Sequence, residues 1–295
     1  MEIFKPKKGI GYIEVIAATL IIDLLLIGLS YFAATYELLI LIRLVLLVFN
    51  CYQLYYLSLY YTLKFTADEN NIYINGNYGL KNIVLPFDKI EKYFIKSEAV
   101  KGIRLSGYGS KTFALGRTVI DKIGTTYMFA TSNKNIFYLK TALGNFALSL
   151  EDAEAFEKKL ESKNIEHAEW EIIFSKYSGI NKEKKFIAIL VIASIITVIL
   201  TINPYIWYLR GKLPVMSPLS FDANFYPVKF GTAKQFVFKQ MTYGVMNMGV
   251  LFCMYYAAYF CAKYDKNTAY RLIYIAMIIS LAFLAMQYRI LLNFK

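Results

Sequence analysis

Histidine occurs once in this chain of 295 residues, cysteine three times and tryptophan twice, and each scarcity excludes a chemistry. His167, in a polar stretch beside Glu166 and Glu169, cannot form a His-rich metal site alone and reads as a solvated surface residue. Cys51, Cys253 and Cys261 fall within apolar runs without metal-ligand spacing. That removes a zinc cluster and a disulfide framework and leaves them as packing residues. There is no H-E-x-x-H, no G-x-S-x-G and no pair of carboxylates beside an obvious base. The chain is therefore expected not to be an enzyme, and to have no catalytic residue, cofactor or metal.

Apolar surface is what the chain has in excess. It is 57% hydrophobic and 17% aromatic, with a mean hydropathy of +0.41, well above the apolar share of soluble domains. Lipid must solvate much of it. After Lys5, Lys7 and Lys8, an apolar run from Ile10 to Phe32 is too long for a signal peptide and lacks a small-residue cleavage site. A connector, Ala33 to Glu37, leads to a second run from Leu38 to Tyr60, so residues 1–60 read as a transmembrane hairpin. Further runs cover Phe186 to Ile202, ended by Asn203-Pro204, then Phe236 to Ala262 and Leu272 to Leu292.

Lysine and arginine place these spans. Lys182, Lys184 and Lys185 before the third run, and Lys263, Lys266 and Arg271 before the fifth, put those boundaries in the cytosol under the positive-inside bias. Five spans then put the amino terminus inside and the carboxyl terminus outside. The outer loop at 205–235 runs against that bias, with Arg210, Lys212, Lys229 and Lys234 facing only Asp222. Its aromatic residues Trp207, Tyr208, Phe221, Phe225 and Tyr226 suit headgroup depth. Inside the first hairpin, Asp23 and Arg43 stand about eight and six residues from the connector, which matches their depths within about 3 Å. They are expected to face each other as an intramembrane ion pair.

The long polar region, residues 61–165, changes period. Tyr61, Leu63, Phe65 and Ala67 alternate with Thr62, Lys64 and Thr66, the pattern of a half-buried strand running straight out of the second helix. Short strands follow from Ile72, over Lys81 to Pro86, Lys89 to Lys96, Gly102 to Leu105, Thr126 to Thr131, Ile136 to Lys140 and Phe146 to Leu148. They lead to a helix with Ser149 as its N-cap and Ala153, Phe156 and Leu160 as its apolar stripe. Many short antiparallel strands closed by one helix is the order of a pleckstrin-homology fold.

Particular residues carry a family resemblance. Ser106-Gly107-Tyr108-Gly109-Ser110, Ala114-Leu115-Gly116-Arg117, Gly124, Phe129-Ala130-Thr131, Thr141 and Leu148-Ser149 with Asp152 and Phe156 are similar to the bacterial PH-like domain family over about 65–163. The resemblance implies a binding or scaffold module. The expected fold class is a multi-pass α-helical membrane protein of five transmembrane helices in the bacterial cell membrane. A cytosolic β-barrel PH-like domain is inserted and capped by its own C-terminal helix. A linker at 166–185, with interfacial Trp170, Phe174 and Tyr177, leads to a three-helix region at 186–295.

That region carries a second resemblance. Leu213-Pro214, Pro218, Phe221, Pro227, Phe230-Gly231 and Lys234 are similar in order and spacing to the loop of a membrane domain shared by SdpI-type bacteriocin immunity proteins. The match spans about Phe186 to Leu292, and the family usually has histidine and glycine where this chain has Ser220 and Phe225. One residue is inserted before Lys234. A histidine-dependent role is thus left without its residue, while toxin immunity or envelope sensing is what the resemblance implies.

Charge suggests the partner of the polar domain. Between Lys64 and Lys140 there are twelve Lys or Arg against six Asp or Glu; between Glu151 and Glu171 three lysines face eight acids. On a tethered domain the nearest polyanion is the anionic inner leaflet, so membrane lipid is expected in place of nucleic acid. Lys111, Arg117, Lys122 and Lys134 are the candidate contacts for anionic headgroups or for a protein partner. The glycines around them match no phosphate-binding motif and read as loop. A peptide toxin is a third candidate partner. The alternative role is an auxiliary subunit of a channel or transporter, with Asp23, Arg43, Asn50 and Gln287 along a hydrated seam, or a membrane scaffold.

Overall fold

The computed structural model describes residues 1–33, 36–142, 144–171, 179–222 and 224–293. Five of its helices are long and apolar enough to cross a membrane. Residues 1–27 with 44–174 form one compact unit, and 28–43 with 175–295 form a second.

In the first unit the chain opens as a strand that the sequence reading missed. β1 (Glu2–Phe4) precedes α1 (Gly11–Phe32) and α2 (Tyr36–Thr62). α2 passes at Leu63 into β2 (Lys64–Ala67), where Leu63, Phe65 and Ala67 are buried and Lys64 is exposed, as the alternation requires. β3 (Asn71–Gly76) and β4 (Lys81–Pro86) follow, and the four strands form a sheet in the order β1-β2-β3-β4.

Pro86 and a 3-10 turn over Phe87–Lys89 end that sheet, since proline cannot donate to a continuing ladder. The chain then enters a second sheet through β5 (Ile90–Lys96), β6 (Ile103–Gly109), β7 (Ala114–Ile120), β8 (Gly124–Ala130), β9 (Ile136–Thr141) and β10 (Gly144–Ser149). After α3 (Ala153–Ser162), β11 (Glu166–His167) completes the order β11-β5-β9-β10-β8-β7-β6. Among the described residues no ladder joins the two sheets, so the expected closed barrel is not present. Two sheets share one core instead, with Phe65, Ile72 and Ile74 packing with Phe137, Leu139 and Leu148.

Helix α3 covers that core with Phe156 and Leu160, both fully buried and each contributing about 1.5–3 kcal/mol. Its N-cap is Asp152, whose carboxylate accepts the Ala155 N–H at 3.0 Å. The expected cap, Ser149, is instead the last residue of β10, and its Oγ accepts the Thr131 N–H at 2.9 Å. Trp170 also departs from expectation. It is buried against Phe94 in the domain, ring centroids 4.9 Å apart, and is not interfacial. Phe174 and Tyr177, expected beside it, lie outside the described residues, as do positions 34 and 35 of the connector.

The second unit is a three-helix bundle with a β-hairpin. α4 (Lys184–Leu209) runs through Pro204 where a stop was expected. Proline leaves the Leu200 carbonyl without its helical donor. Gln287, from another helix, supplies the donor through Nε2 at 2.9 Å, and Asn203 Nδ2 donates to Gln287 Oε1 at 3.2 Å. β12 (Met216–Phe221) and β13 (Pro227–Thr232) pair antiparallel where the sequence predicts a loop. α5 (Ala233–Cys261) and α6 (Lys266–Asn293) complete the bundle. Thr197, Asn247 and Ser280 meet in its core, Thr197 Oγ1 lying 3.1 Å from Ser280 Oγ. All three cysteines are free, and Cys51 and Cys253 sit exposed on helix surfaces instead of packing inside.

Candidate functional site

Three helix side chains fasten the sheets of the first unit to α1 and α2. The Tyr60 hydroxyl accepts the Gly9 N–H at 3.0 Å and has two carbonyls in reach, Gly9 at 2.8 Å and Thr131 at 3.1 Å; its one proton serves either. Thr112 Oγ1, in the β6–β7 turn, donates to Glu14 Oε1 at 2.6 Å. Tyr52, ten residues before the end of α2, both donates to the Gly107 carbonyl at 2.9 Å and accepts the Gly107 N–H at 3.1 Å. β6 is the edge strand of its sheet, so Tyr52 takes up backbone groups that an edge leaves unpaired.

The amino-terminal strap crosses between the sheets. β1 pairs with β2, Phe4 opposite Phe65. Three residues later the Lys7 N–H donates to the Ser149 carbonyl at 3.1 Å, and the Glu151 N–H donates to the Lys5 carbonyl at 3.0 Å. Gly9 then donates to Thr131 at 3.1 Å. At Gly11 a Cβ would stand 2.4 Å from the Phe113 ring, so a side chain there would push the β6–β7 turn off the helix.

These contacts gather exposed lysines around the start of α1. Lys8 precedes Gly9, Lys111 precedes Thr112, and Lys134 lies in the loop that Thr131 opens. The Val100 N–H donates to the Lys111 carbonyl at 3.0 Å, which brings Lys101 to the same collar. Among the described residues none of these four is in an ion pair; the domain's bridges lie elsewhere, as Lys92–Glu166 at 3.0 Å and Lys140–Glu91 at 2.7 Å do.

The four candidate cations therefore divide. Lys111 and Lys134 belong to the collar. Lys122, in the β7–β8 turn, lies at the opposite end of β7 and pairs with Glu171 at 3.0 Å. Arg117, within β7, stands 4.8 Å over the Tyr127 ring, which stacks on Phe146 at 5.1 Å. Half-buried Lys81 shares that face, its ammonium held below the ordinary lysine value by burial and then by Arg117. Gly107 and Gly116 face each other across β6 and β7 with φ of +105° and +120°. They allow the close approach of the two strands.

In the helices, the Asp23 carboxylate accepts Asn50 Nδ2 at 2.9 Å, and Asn50 also donates to the Leu46 carbonyl at 3.0 Å. Arg43, expected to face Asp23, is exposed on α2. Of the hairpin motif, Leu213 and Pro214 lead into β12, Pro218 and Phe221 lie in β12, Pro227 and Gly231 in β13, and Lys234 in the first turn of α5. Phe221 is buried with Phe236, Ile290 and Leu291 and stacks on Phe225 at 4.5 Å. The reading of the sequence missed Glu14, Tyr52 and Tyr60 as anchors. The run Tyr52, Tyr55, Tyr56, Tyr60 and Tyr61 at the end of an apolar helix was the available signal.

Comparison with known proteins agrees with the resemblance drawn from the glycine-rich strands. The profile of the bacterial PH domain family matches residues 63–164. An uncharacterized protein of Clostridium acetobutylicum is 38% identical over 290 residues, which cover 98% of each chain. No solved structure matches.

Proposed function

Since the chain belongs to the same family as that clostridial protein and carries a bacterial PH domain, we propose that it is a non-enzymatic protein of the bacterial cell membrane whose domain binds anionic headgroups. The observation that carries this reading is the collar: Lys8, Lys101, Lys111 and Lys134 are exposed on segments bonded to one another and to the start of α1, where an apolar helix leaves the domain. A cation held beside an anionic leaflet gains on the order of 1 kcal/mol. The amino terminus and the domain are taken to lie in the cytosol and the carboxyl end outside.

The excised segment 63–164 lacks β1 and the strap, so the test uses the whole chain. In nanodiscs of phosphatidylcholine, adding phosphatidylglycerol is expected to slow backbone hydrogen exchange in the loops bearing Lys101, Lys111 and Lys134, and salt is expected to reverse the effect. Equal exchange in both lipids would leave a protein partner as the ligand of the domain.

On the same reading the helices and the β12–β13 hairpin detect or neutralise an envelope agent, a peptide toxin being the case suggested by the hairpin motif. Deleting the gene is then expected to sensitise cells to at least one member of a panel of antimicrobial peptides; unchanged sensitivity across the panel removes the immunity role. The auxiliary-subunit alternative needs a hydrated seam. The buried polar residues Thr197, Asn247 and Ser280 bond to one another, which supports the scaffold version of that alternative over transport.

A further inference from the structure

We propose that the groove between the last turns of α4 and the first turns of α5 binds an anionic phospholipid, one acyl chain lying in the groove and the phosphate at Lys234. The groove measures about 440 Å³ and is lined by Tyr205 and Tyr208 of α4 and by Lys234, Val237, Phe238 and Met241 of α5. That volume lies in the range of sites for small molecules. Apart from Lys234 and Gln235, which both lie in the first turn of α5, its walls are aromatic and aliphatic, so a hydrocarbon chain gains there and a hydrated solute does not. Both helices are apolar enough to span a bilayer, and Tyr205, Tyr208 and Phe238 are exposed on their surface. The occupant therefore comes from the bilayer itself.

Charge at one end separates this groove from ordinary lipid solvation. Lys234 lines it from the first turn of α5 and is exposed, and the positive end of the helix dipole lies at the same turn. Arg210 and Lys212 directly follow the turn of α4 that carries Tyr208, and Lys229 lies in β13. Asp222 is occupied in its own turn, accepting the N–H groups of Asn224 at 2.9 Å and Tyr226 at 2.8 Å. Among the described residues none of the four cations is in an ion pair. On the orientation proposed above they lie outside, where the positive-inside bias supplies no reason for them; only that clause rests on the earlier reading. A lipid phosphate supplies the reason.

Tryptophan fluorescence tests the proposal on the full chain. Trp207 lies on the α4 turn between Tyr205 and Tyr208, and Trp170→Phe removes the other tryptophan. The protein is reconstituted in phosphatidylcholine vesicles containing a minor share of brominated phosphatidylglycerol or brominated phosphatidylcholine. Brominated phosphatidylglycerol is expected to quench Trp207 at about fivefold lower mole fraction. Lys234→Glu should abolish the preference and Lys234→Arg should keep it. Equal quenching by the two lipids, or a preference that survives Lys234→Glu, overturns the proposal. Displacement by soluble glycerol phosphate would overturn the placement of the chain in the groove. Should Trp170→Phe perturb the domain, the difference between the unaltered chain and Trp207→Phe yields the same signal. Labelling a Lys212→Cys variant from outside intact cells tests the orientation separately, and a phosphatidylglycerol preference sustains the lipid site whichever way that labelling falls.

Discussion

Gly107→Val is expected to destabilise the domain by about 3–5 kcal/mol, summing backbone strain and overpacking. The backbone at Gly107 has φ of +105°, and a Cβ there would stand 2.0 Å from the Leu115 carbonyl oxygen and 2.7 Å from the Gly116 Cα. Backbone atoms of a paired strand cannot step aside without breaking the β6–β7 ladder, so the cost exceeds that of an unfavourable φ alone. Gly79→Val is the control, because φ is +94° there but nothing lies within 4 Å of the added Cβ. It should cost about 1–3 kcal/mol, the strain component only. Urea midpoints read through the buried Trp170 fluorescence in a Trp207→Phe background would measure both. Equal shifts for the two valines would mean that the close approach of β6 and β7 contributes nothing.

The second large effect lies in the bundle. Gln287→Leu removes the donor that the Leu200 carbonyl receives in place of the N–H missing at Pro204, and it leaves Asn203 Nδ2 without Gln287 Oε1. An unpaired polar group in a membrane interior costs several kcal/mol, so a loss of about 2–4 kcal/mol is expected in detergent unfolding. Pro204→Ala restores a backbone N–H four residues after Leu200. In the Gln287→Leu background it should recover much of the loss, whereas in the unaltered chain it should change stability little. A double-mutant cycle measures this coupling. Additive effects would show that Gln287 and Pro204 do not act on the same carbonyl.

How much was legible in the sequence follows from the reach of each interaction. The five helices were visible as long apolar runs, and β2 was visible because Leu63, Phe65 and Ala67 alternate with polar residues. Both patterns need only neighbours. β1 was not visible: three residues have no period, and their partner in β2 stands some sixty positions later. The helix through Pro204 was unreadable for the same reason, since the rule that proline stops a helix fails only through a side chain 87 positions away from Leu200. Strand β7 hid behind its glycine, and the hairpin β12–β13 behind its prolines. At the site, Lys111 and Lys134 were singled out by charge, but their separation from Lys122 depends on which end of β7 each occupies. Asp23 was recognised as needing a partner. Asn50, the residue that donates to it, enters the sequence argument only as a candidate for a hydrated seam.

The pairing of Glu2–Phe4 with Phe65–Ala67 also constrains how the protein is made. Two segments in one sheet must finish on the same side of a bilayer, so the chain between them crosses an even number of times: both α1 and α2 traverse, or neither does. A nascent chain that inserts only one of them strands its first residues across the membrane from their partner and leaves an open sheet edge for quality-control proteases to find.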